Sequence, residues 1–240
     1  MPTMTFANTK GGAGKTTVAL IVATELARRG HRVALFDSDP QQWASRWFDL
    51  TGAVANLSLV AEVTEQTIER QIKDLKKSTD YIIIDLPAGL HTLLAKAIGV
   101  SDHVFIPVQG CAMDAIGGAQ VLELLQALAT ENEIRIPHAV VLTRVSSIIT
   151  TRALAAVKAL LAERQVSLLA TPLVERAAYR DMFNSGGTLS NLNPAYVSNL
   201  DKALENARLL ADEILLRVPV AATKAKVTRR RASTISRAAA

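Results

Sequence analysis

Cysteine is almost missing from this sequence, and the histidines form no pattern. Cys111 is the only cysteine among 240 residues, so no disulfide can form within the chain, which is typical of a reducing cytoplasm. The four histidines are scattered along the chain and have no metal-ligand spacing. The sequence therefore excludes a disulfide scaffold and does not indicate a histidine-based metal centre.

Long apolar runs are missing as well. No stretch is long enough to span a bilayer, and the N-terminus leads into a short β-prone segment rather than a signal peptide. Apolar residues nevertheless make up 49% of the chain, which is enough to bury a sizeable sheet in one domain. We therefore expect a cytoplasmic, single-domain protein.

Acidic residues are absent from the last twenty positions, which carry six basic ones. Because the whole chain has a net charge of +5, the first 220 residues carry one net negative charge. Alanine, threonine and serine fill most of the gaps between these cations, so we expect no packed core there and a disordered segment. We divide the chain into a domain over residues 1–218 and a basic tail over residues 219–240. The candidate DNA-contacting residues of the tail are Lys224, Lys226, Arg229, Arg230, Arg231 and Arg237.

The basic tail suits a loosely held anionic polymer such as DNA, with salt-sensitive binding and no readout of base sequence. A charged solubilising end is the simpler alternative. Membrane anchoring is a third, but Val227 and Ile235 are the only large aliphatic residues after Val220, and no aromatic residue follows. The tail therefore lacks the apolar face that interfacial anchoring needs, and we expect no membrane partner.

A glycine-rich loop near the N-terminus is the strongest positive signal. Residues 10–17 read KGGAGKTT, close to the phosphate-binding pattern G-x-x-x-x-G-K-[ST]. Thr9 stands where that pattern has its first glycine, and Lys10 adds a second cation five residues before Lys15. Two fixed positive charges in one turn are tolerable only near a polyphosphate. The candidate nucleotide-binding residues of the loop are Lys10, Gly11, Gly12, Ala13, Gly14, Lys15, Thr16 and Thr17.

The segments on either side of the loop have the pattern that a phosphate-binding loop requires. A short apolar, β-prone stretch at residues 4–7 precedes it, and residues 17–29 carry apolar side chains at helical spacing, with Gly30 as a C-terminal cap. This order predicts a strand, a turn and a helix whose free N-terminal N–H groups point at the phosphates.

Two further apolar runs end in carboxylates. Residues 33–36 are followed by Asp37 and Asp39, and residues 81–84 are followed by Asp85. Continuous apolar runs are typical of strands buried on both faces, and their carboxyl ends meet at the ligand-binding edge of a parallel sheet. Asp85 could hold Mg²⁺ through a water beside the Thr16 hydroxyl, or it could be a turn or capping residue. Asp39 could likewise be only the N-cap of the next helix.

The rest of the chain alternates between strand and helix patterns. This alternation predicts an α/β fold, a doubly wound and mostly parallel central sheet flanked by helices. The further strands are expected at residues 57–63, 104–108, 139–143 and 166–170, and the helices at 65–77, 112–130, 151–164 and 195–217.

Three motifs together resemble the ParA/MinD family of ATPases with a deviant Walker A box. They are the loop at residues 10–17, the D-x-D-P-Q sequence at 37–41 and the strand with its terminal aspartate at 81–87, which reads YIIIDLP. The resemblance covers roughly residues 1–215. It implies a P-loop fold that binds ATP and Mg²⁺. It also implies that Lys10 reaches across a nucleotide-sandwich homodimer to the phosphates held by the other subunit, while Lys15 is the P-loop lysine.

The resemblance assigns roles to four more residues. Asp39 orients the attacking water, and Asp37 contributes to the metal shell beside Asp85. Thr143 ends a strand where the family often contacts the adenine base, usually through an asparagine. Arg176 is a candidate for a ribose, base or cross-dimer contact, with a solvated surface arginine as the alternative.

The resemblance also implies a function, most closely that of the partition branch. It describes a slow ATPase, stimulated by a small adaptor protein, that binds DNA non-specifically, lies on the nucleoid and drives plasmid or chromosome partition. Within the family, a T-DNA or conjugative-transfer accessory ATPase and a positioner of protein cargo are alternatives. Outside that class stand a nucleotide-gated binding module without useful turnover and a MinD-like regulator at the membrane surface.

Overall fold

The computed structural model describes residues 1–110, 112–146 and 151–220. Cys111 and the six basic residues of the tail lie outside these ranges, so the predicted DNA contacts of the tail stay predictions. Within the described residues, no helix combines the length and the apolar character needed to cross a membrane.

A single parallel sheet forms the centre of the described structure. Its strand order is β3-β2-β4-β1-β5-β6-β7, and every neighbouring pair is parallel. The strands are β1 (Thr3–Phe6), β2 (Val33–Asp37), β3 (Leu57–Val60), β4 (Tyr81–Asp85), β5 (His103–Gln109), β6 (His138–Val145) and β7 (Leu173–Val174).

Helices cover both faces of this sheet. They are α1 (Lys15–Arg28), α2 (Trp43–Thr51), α3 (Ile68–Leu75), α4 (Thr92–Gly99), α5 (Ala112–Glu131), α6 (Arg152–Glu163), α7 (Ala177–Ser185) and α8 (Leu200–Arg217), with one 3₁₀ turn at Leu189–Asn191. Apolar side chains of α1, α2, α7 and α8 pack in one layer, and those of α3, α4, α5 and α6 pack in the other. The predicted doubly wound α/β fold is therefore confirmed.

The central strands are buried on both faces, as their sequences predict. Every residue of β1, β2 and β4 is buried, and β2 and β4 accordingly have continuous apolar runs rather than an alternating pattern. In β1, Thr3 and Thr5 alternate with Met4 and Phe6, and the Thr5 hydroxyl forms a hydrogen bond of 2.6 Å with the Ser101 hydroxyl. The chain runs outward from β1 in both directions, because β4 pairs with one side of β1 and β5 with the other. This change of direction places a crevice beyond the carboxyl end of β1, where the phosphate loop begins.

One strand lies elsewhere than the sequence predicts. Instead of a strand over residues 166–170, only Leu168 makes an isolated bridge, to Val140, and β7 pairs further along the chain. The reason is a side chain from α8. Glu213 accepts hydrogen bonds of 2.8 Å from the backbone N–H groups of Ala170 and Thr171, which occupies donors that a strand would offer to its neighbour.

Candidate nucleotide site

The phosphate loop connects β1 to α1 at the crevice. Gly12 and Gly14 have positive φ angles of 80° and 92°, which glycine adopts without strain, and Gly14 forms the N-cap of α1. Gly30 follows α1 with a φ of 88°, as its predicted capping role requires. The turn and the start of the helix together offer free backbone N–H groups, which is the arrangement that binds phosphate.

Lys15 begins α1 and is buried in the crevice. Its Nζ donates a hydrogen bond of 3.2 Å to the Lys10 carbonyl oxygen. Burial lowers the pKa of Lys15, while the carboxylates of Asp85 and Asp39 oppose that shift. A buried, partly desolvated cation of this kind is suited to binding an incoming anion.

Lys10 is held at its backbone. Its N–H donates to Asn8 Oδ1 at 2.8 Å, and Asn8 Nδ2 donates to the Pro107 carbonyl of β5 at 2.7 Å. Asn8 is buried, and nothing in the sequence pattern singled it out. The second cation of the loop is therefore attached through one amide to the neighbouring strand.

Asp85 is fully buried, and neither of its carboxylate oxygens has a hydrogen-bond partner. Burial, with the charges of Asp37 and Asp39 acting in the same direction, raises its pKa, while the nearby Thr16 hydroxyl and Lys15 oppose the rise; the net result is a pKa of about 7. Buried carboxylates without partners are rare, because each unsatisfied group is unfavourable. This orphaned carboxylate beside a hydroxyl fits Mg²⁺, which takes a few protein oxygens together with waters and phosphate oxygens.

Asp37 is buried and has partners of its own. Its Oδ2 accepts hydrogen bonds from Ser45 N at 2.8 Å and from Ser45 Oγ at 2.6 Å, and Oδ1 accepts one from Asp39 N at 3.2 Å. These contacts attach the first turn of α2 to the end of β2. Its contribution to a metal shell stays a prediction.

Asp39 is half-buried and lines a cleft of about 630 Å³ together with Lys15 and Thr16. The alternative in which Asp39 caps the following helix is wrong, because α2 begins at Trp43 and its N-cap is Gln42. Instead, Asp39 Oδ1 accepts a hydrogen bond from Gln41 N at 2.8 Å, closing a tight turn. Its water-positioning role stays a prediction.

A second cleft of about 380 Å³ adjoins the first at Gly14 and Thr17. The side chains of Thr143, Arg144 and Glu175 are among its walls. Glu175 accepts a hydrogen bond of 2.5 Å from Arg180, and its other carboxylate oxygen lies 3.8 Å from Arg144 Nε. Arg144 has a positive φ of 50° at a bulge in β6. The sequence gives no signal for this group of charges, because its members become neighbours only through the β6–β7 pairing.

Thr143 is completely buried and faces the phosphate loop. Its Oγ1 donates a hydrogen bond of 2.8 Å to the Ala13 carbonyl, and a Cβ on Gly14 would lie 3.4 Å from its side chain. Thr143 therefore holds the phosphate loop against the carboxyl end of β6. A direct contact with a base stays a prediction.

Arg176 precedes α7 and lines the second cleft, half-buried. Its Nε is buried without a hydrogen-bond partner. Burial raises the pKa of the neighbouring Tyr179, while Arg176 lowers it. Arg176 is therefore partly shielded from solvent, and its contact with a nucleotide stays a prediction.

A phosphate loop at the switch point of a parallel sheet, with a buried lysine and a buried carboxylate at one crevice, defines a P-loop nucleotide-binding protein. The family model described as "VirC1 protein" matches residues 1–218. The chain therefore belongs to the VirC1 family. This places it among the ParA/MinD-type P-loop ATPases, the wider family that its three motifs predicted.

Individual relatives agree with this assignment. The chain is 36% identical to protein ParA of Rhizobium radiobacter over 88% of its own length and 95% of that protein. It is 28% identical to protein virC1 of Rhizobium rhizogenes over 90% of its own length and 95% of that protein. Among solved structures, the ATP complex of Cyanothece McdA superposes with a TM-score of 0.68 at 21% identity, covering 88% of this chain and 96% of the other.

Proposed function

We propose that this protein is an Mg·ATP-dependent dimerising ATPase that binds DNA non-specifically and drives plasmid or chromosome partition. One observation carries the proposal: Lys10 and Lys15 lie in one phosphate loop, and the amine of the buried Lys15 is hydrogen-bonded to the Lys10 backbone. This arrangement suits a polyphosphate bound between two subunits.

The nucleotide would lie across both clefts. Its phosphates would meet the loop N–H groups and Lys15, and its base would enter the cleft walled by Arg144 and Glu175. Thr16 and Asp85 would hold Mg²⁺, with Asp37 in its outer shell. The ion would neutralise charge on the phosphates.

The chain's own residues would then supply positioning and charge. Asp39 would orient a water towards the terminal phosphate, and Lys10 of the partner subunit together with Lys15 would stabilise the charge that develops there. Such an arrangement gives slow hydrolysis until an adaptor protein completes it. We place the protein in the cytoplasm, on nucleoid DNA, which the basic tail would help to contact.

The decisive experiment measures mass. Light scattering of the full chain with Mg²⁺ and a saturating non-hydrolysable ATP analogue should give twice the mass found with ADP. Lys10→Gln should bind ADP normally and stay at the mass of one subunit. A wild-type protein that stays monomeric with the analogue would contradict the proposal.

A second function, accessory ATPase in T-DNA or conjugative transfer, stays beside partition because the matched family model is described as VirC1 and not as a partition protein. Deleting the gene separates the two. Partition predicts that plasmid-free cells accumulate without selection, whereas a transfer role predicts normal retention and fewer recipients that receive DNA.

Two functions of other classes have their own tests. A binding module without turnover predicts equal phosphate release by the wild type and Asp39→Ala in the presence of DNA. A membrane-surface regulator predicts sedimentation with anionic liposomes that survives high salt, whereas our proposal predicts salt-sensitive retention on DNA.

A further inference from the structure

The N-terminal half of α5 lies directly against the start of the phosphate loop. Thr9 Oγ1 donates a hydrogen bond to Gln120 Oε1 at 2.5 Å and lies 3.3 Å from the Gly117 carbonyl oxygen. The Thr9 carbonyl in turn accepts a hydrogen bond of 2.7 Å from Gly89 N, in the loop after β4. Thr9, where the common phosphate-loop pattern has glycine, therefore links the loop to α5.

Gly117 makes the closest approach between α5 and the phosphate loop. A Cβ built on Gly117 would overlap Asn8 Oδ1 and would lie only 2.9 Å from both the backbone N and the Cβ of Lys10. The same Asn8 Oδ1 accepts the hydrogen bond from Lys10 N. Any side chain at position 117 would therefore displace either Asn8 or the backbone of Lys10.

Helix stability alone does not favour glycine here. Gly117 and Gly118 are consecutive residues inside α5, and each glycine destabilises a helix interior by about 1 kcal/mol relative to alanine. Gly118 also faces a tight space, because its Cβ would lie 3.0 Å from Val108 Cγ2. The two glycines are therefore explained by the close approach of α5 to its neighbours, which leaves no room for a side chain, and not by helix propensity.

We propose that Gly117 is a positioning residue for Lys10, assisted by Thr9 and Gln120. The absent side chain lets Asn8 bond the Lys10 backbone, and the Thr9–Gln120 hydrogen bond prevents the loop from moving away from α5. Together they fix the point from which the Lys10 amine extends to the partner's nucleotide. This inference rests on the proposed dimer and extends it to a helix that carries none of the loop's phosphate ligands.

Gly117→Ala tests the proposal. Because a misplacement of roughly 1 Å can weaken a positioned interaction by about 100-fold, we expect the dissociation constant of the analogue-bound dimer to rise at least about tenfold. ADP binding by the monomer, which does not need Lys10 to reach a partner, should change by less than about threefold. A dilution series followed by analytical ultracentrifugation measures the first quantity, and a fluorescent ADP analogue measures the second.

Gly99→Ala is the matched control. Gly99 ends α4, has no positive φ, and a Cβ there would meet no atom within 4 Å. This variant makes the same chemical change in a helix and should dimerise like the wild type. If Gly117→Ala dimerises as tightly as Gly99→Ala, or loses ADP affinity as strongly as dimer affinity, the positioning role is wrong.

A second pair of variants decides the question if Gly117→Ala does not fold. Thr9→Val keeps the shape of the side chain but removes the hydroxyl that bonds Gln120, and Thr9→Ser keeps the hydroxyl. We expect Thr9→Val to weaken the dimer at unchanged ADP affinity and Thr9→Ser to restore it. Equal dimerisation by both would overturn the inference, whereas a monomeric wild type would instead overturn the proposed function.

Discussion

Asp85→Asn should stabilise the metal-free protein, and the gain should grow with pH. The folded protein raises the pKa of Asp85 to about 7, from 3.8 in the unfolded chain. The folded state therefore binds this proton more tightly than the unfolded state does. Stability from Asp85 is fully present below pH 3.8 and is lost as the pH rises towards 7, the reverse of a salt-bridged carboxylate.

The size of the effect follows from the two pKa values. They differ by about 3 units, and each unit corresponds to about 1.4 kcal/mol, so the upper bound of the loss is about 4 kcal/mol at pH 8. At pH 5 the unfolded carboxyl is already ionised and the folded one is not, so about 2 kcal/mol is lost. Asparagine cannot ionise and avoids both losses.

The assay is urea unfolding in EDTA, followed by far-ultraviolet circular dichroism at pH 5 and pH 8. Only the difference between Asp85→Asn and the wild type is used, because other groups that titrate over this range then cancel. Asp49→Asn, at an exposed position, should show no such difference at either pH. With Mg²⁺ and the ATP analogue the order should reverse, since ligand binding stabilises only the protein that holds it. A pH-independent difference would refute the reasoning.

Three further predictions concern other parts of the fold. Thr143→Val should destabilise the protein by about 1–2 kcal/mol in thermal unfolding and weaken ADP binding in a nucleotide titration, because the Ala13 carbonyl loses its hydrogen-bond donor. Thr143→Ser keeps the hydroxyl and should change neither the stability nor the ADP affinity. Asn206→Ala should destabilise by about 2–4 kcal/mol in urea unfolding, since a buried side chain with three hydrogen-bond contacts is removed; a loss below that of exposed Asn193→Ala would contradict this. Burial, with Arg217 and His138 nearby, lowers the pKa of His103 to about 4, so the free energy of unfolding should fall as the pH drops from 6.5 to 4. The fall should be smaller in His103→Phe; if the wild type and His103→Phe lose stability equally over this pH range, the prediction is wrong.

The local parts of the site could be predicted from the sequence. The phosphate loop, its flanking strand and helix, and the buried strands that end at Asp37 and Asp85 follow from short patterns, because the residues that define them are neighbours in the chain. The doubly wound fold follows from their alternation. These features depend on periodicity and on glycine, which the sequence displays directly.

The contacts between distant segments could not be predicted. The strand expected at residues 166–170 is replaced because Glu213, more than forty residues later, binds its backbone donors. Helices α4 and α7 span only 8 and 9 residues, so each offers about two turns in which a helical period could be recognised, and the sequence analysis did not predict them. Asn8 and Gly117 are ordinary residues in sequence and acquire their meaning only where α5 meets the loop.

The hydrogen bonds from α8 to β7 and the segment before it determine when the second cleft can form during translation. Asn206 holds Val174 N–H and the Pro172 carbonyl, and Glu213 holds the two preceding donors, so the wall of the second cleft is completed by residues translated after it. The adjoining cleft therefore cannot be completed on the ribosome until α8 has been translated and has emerged.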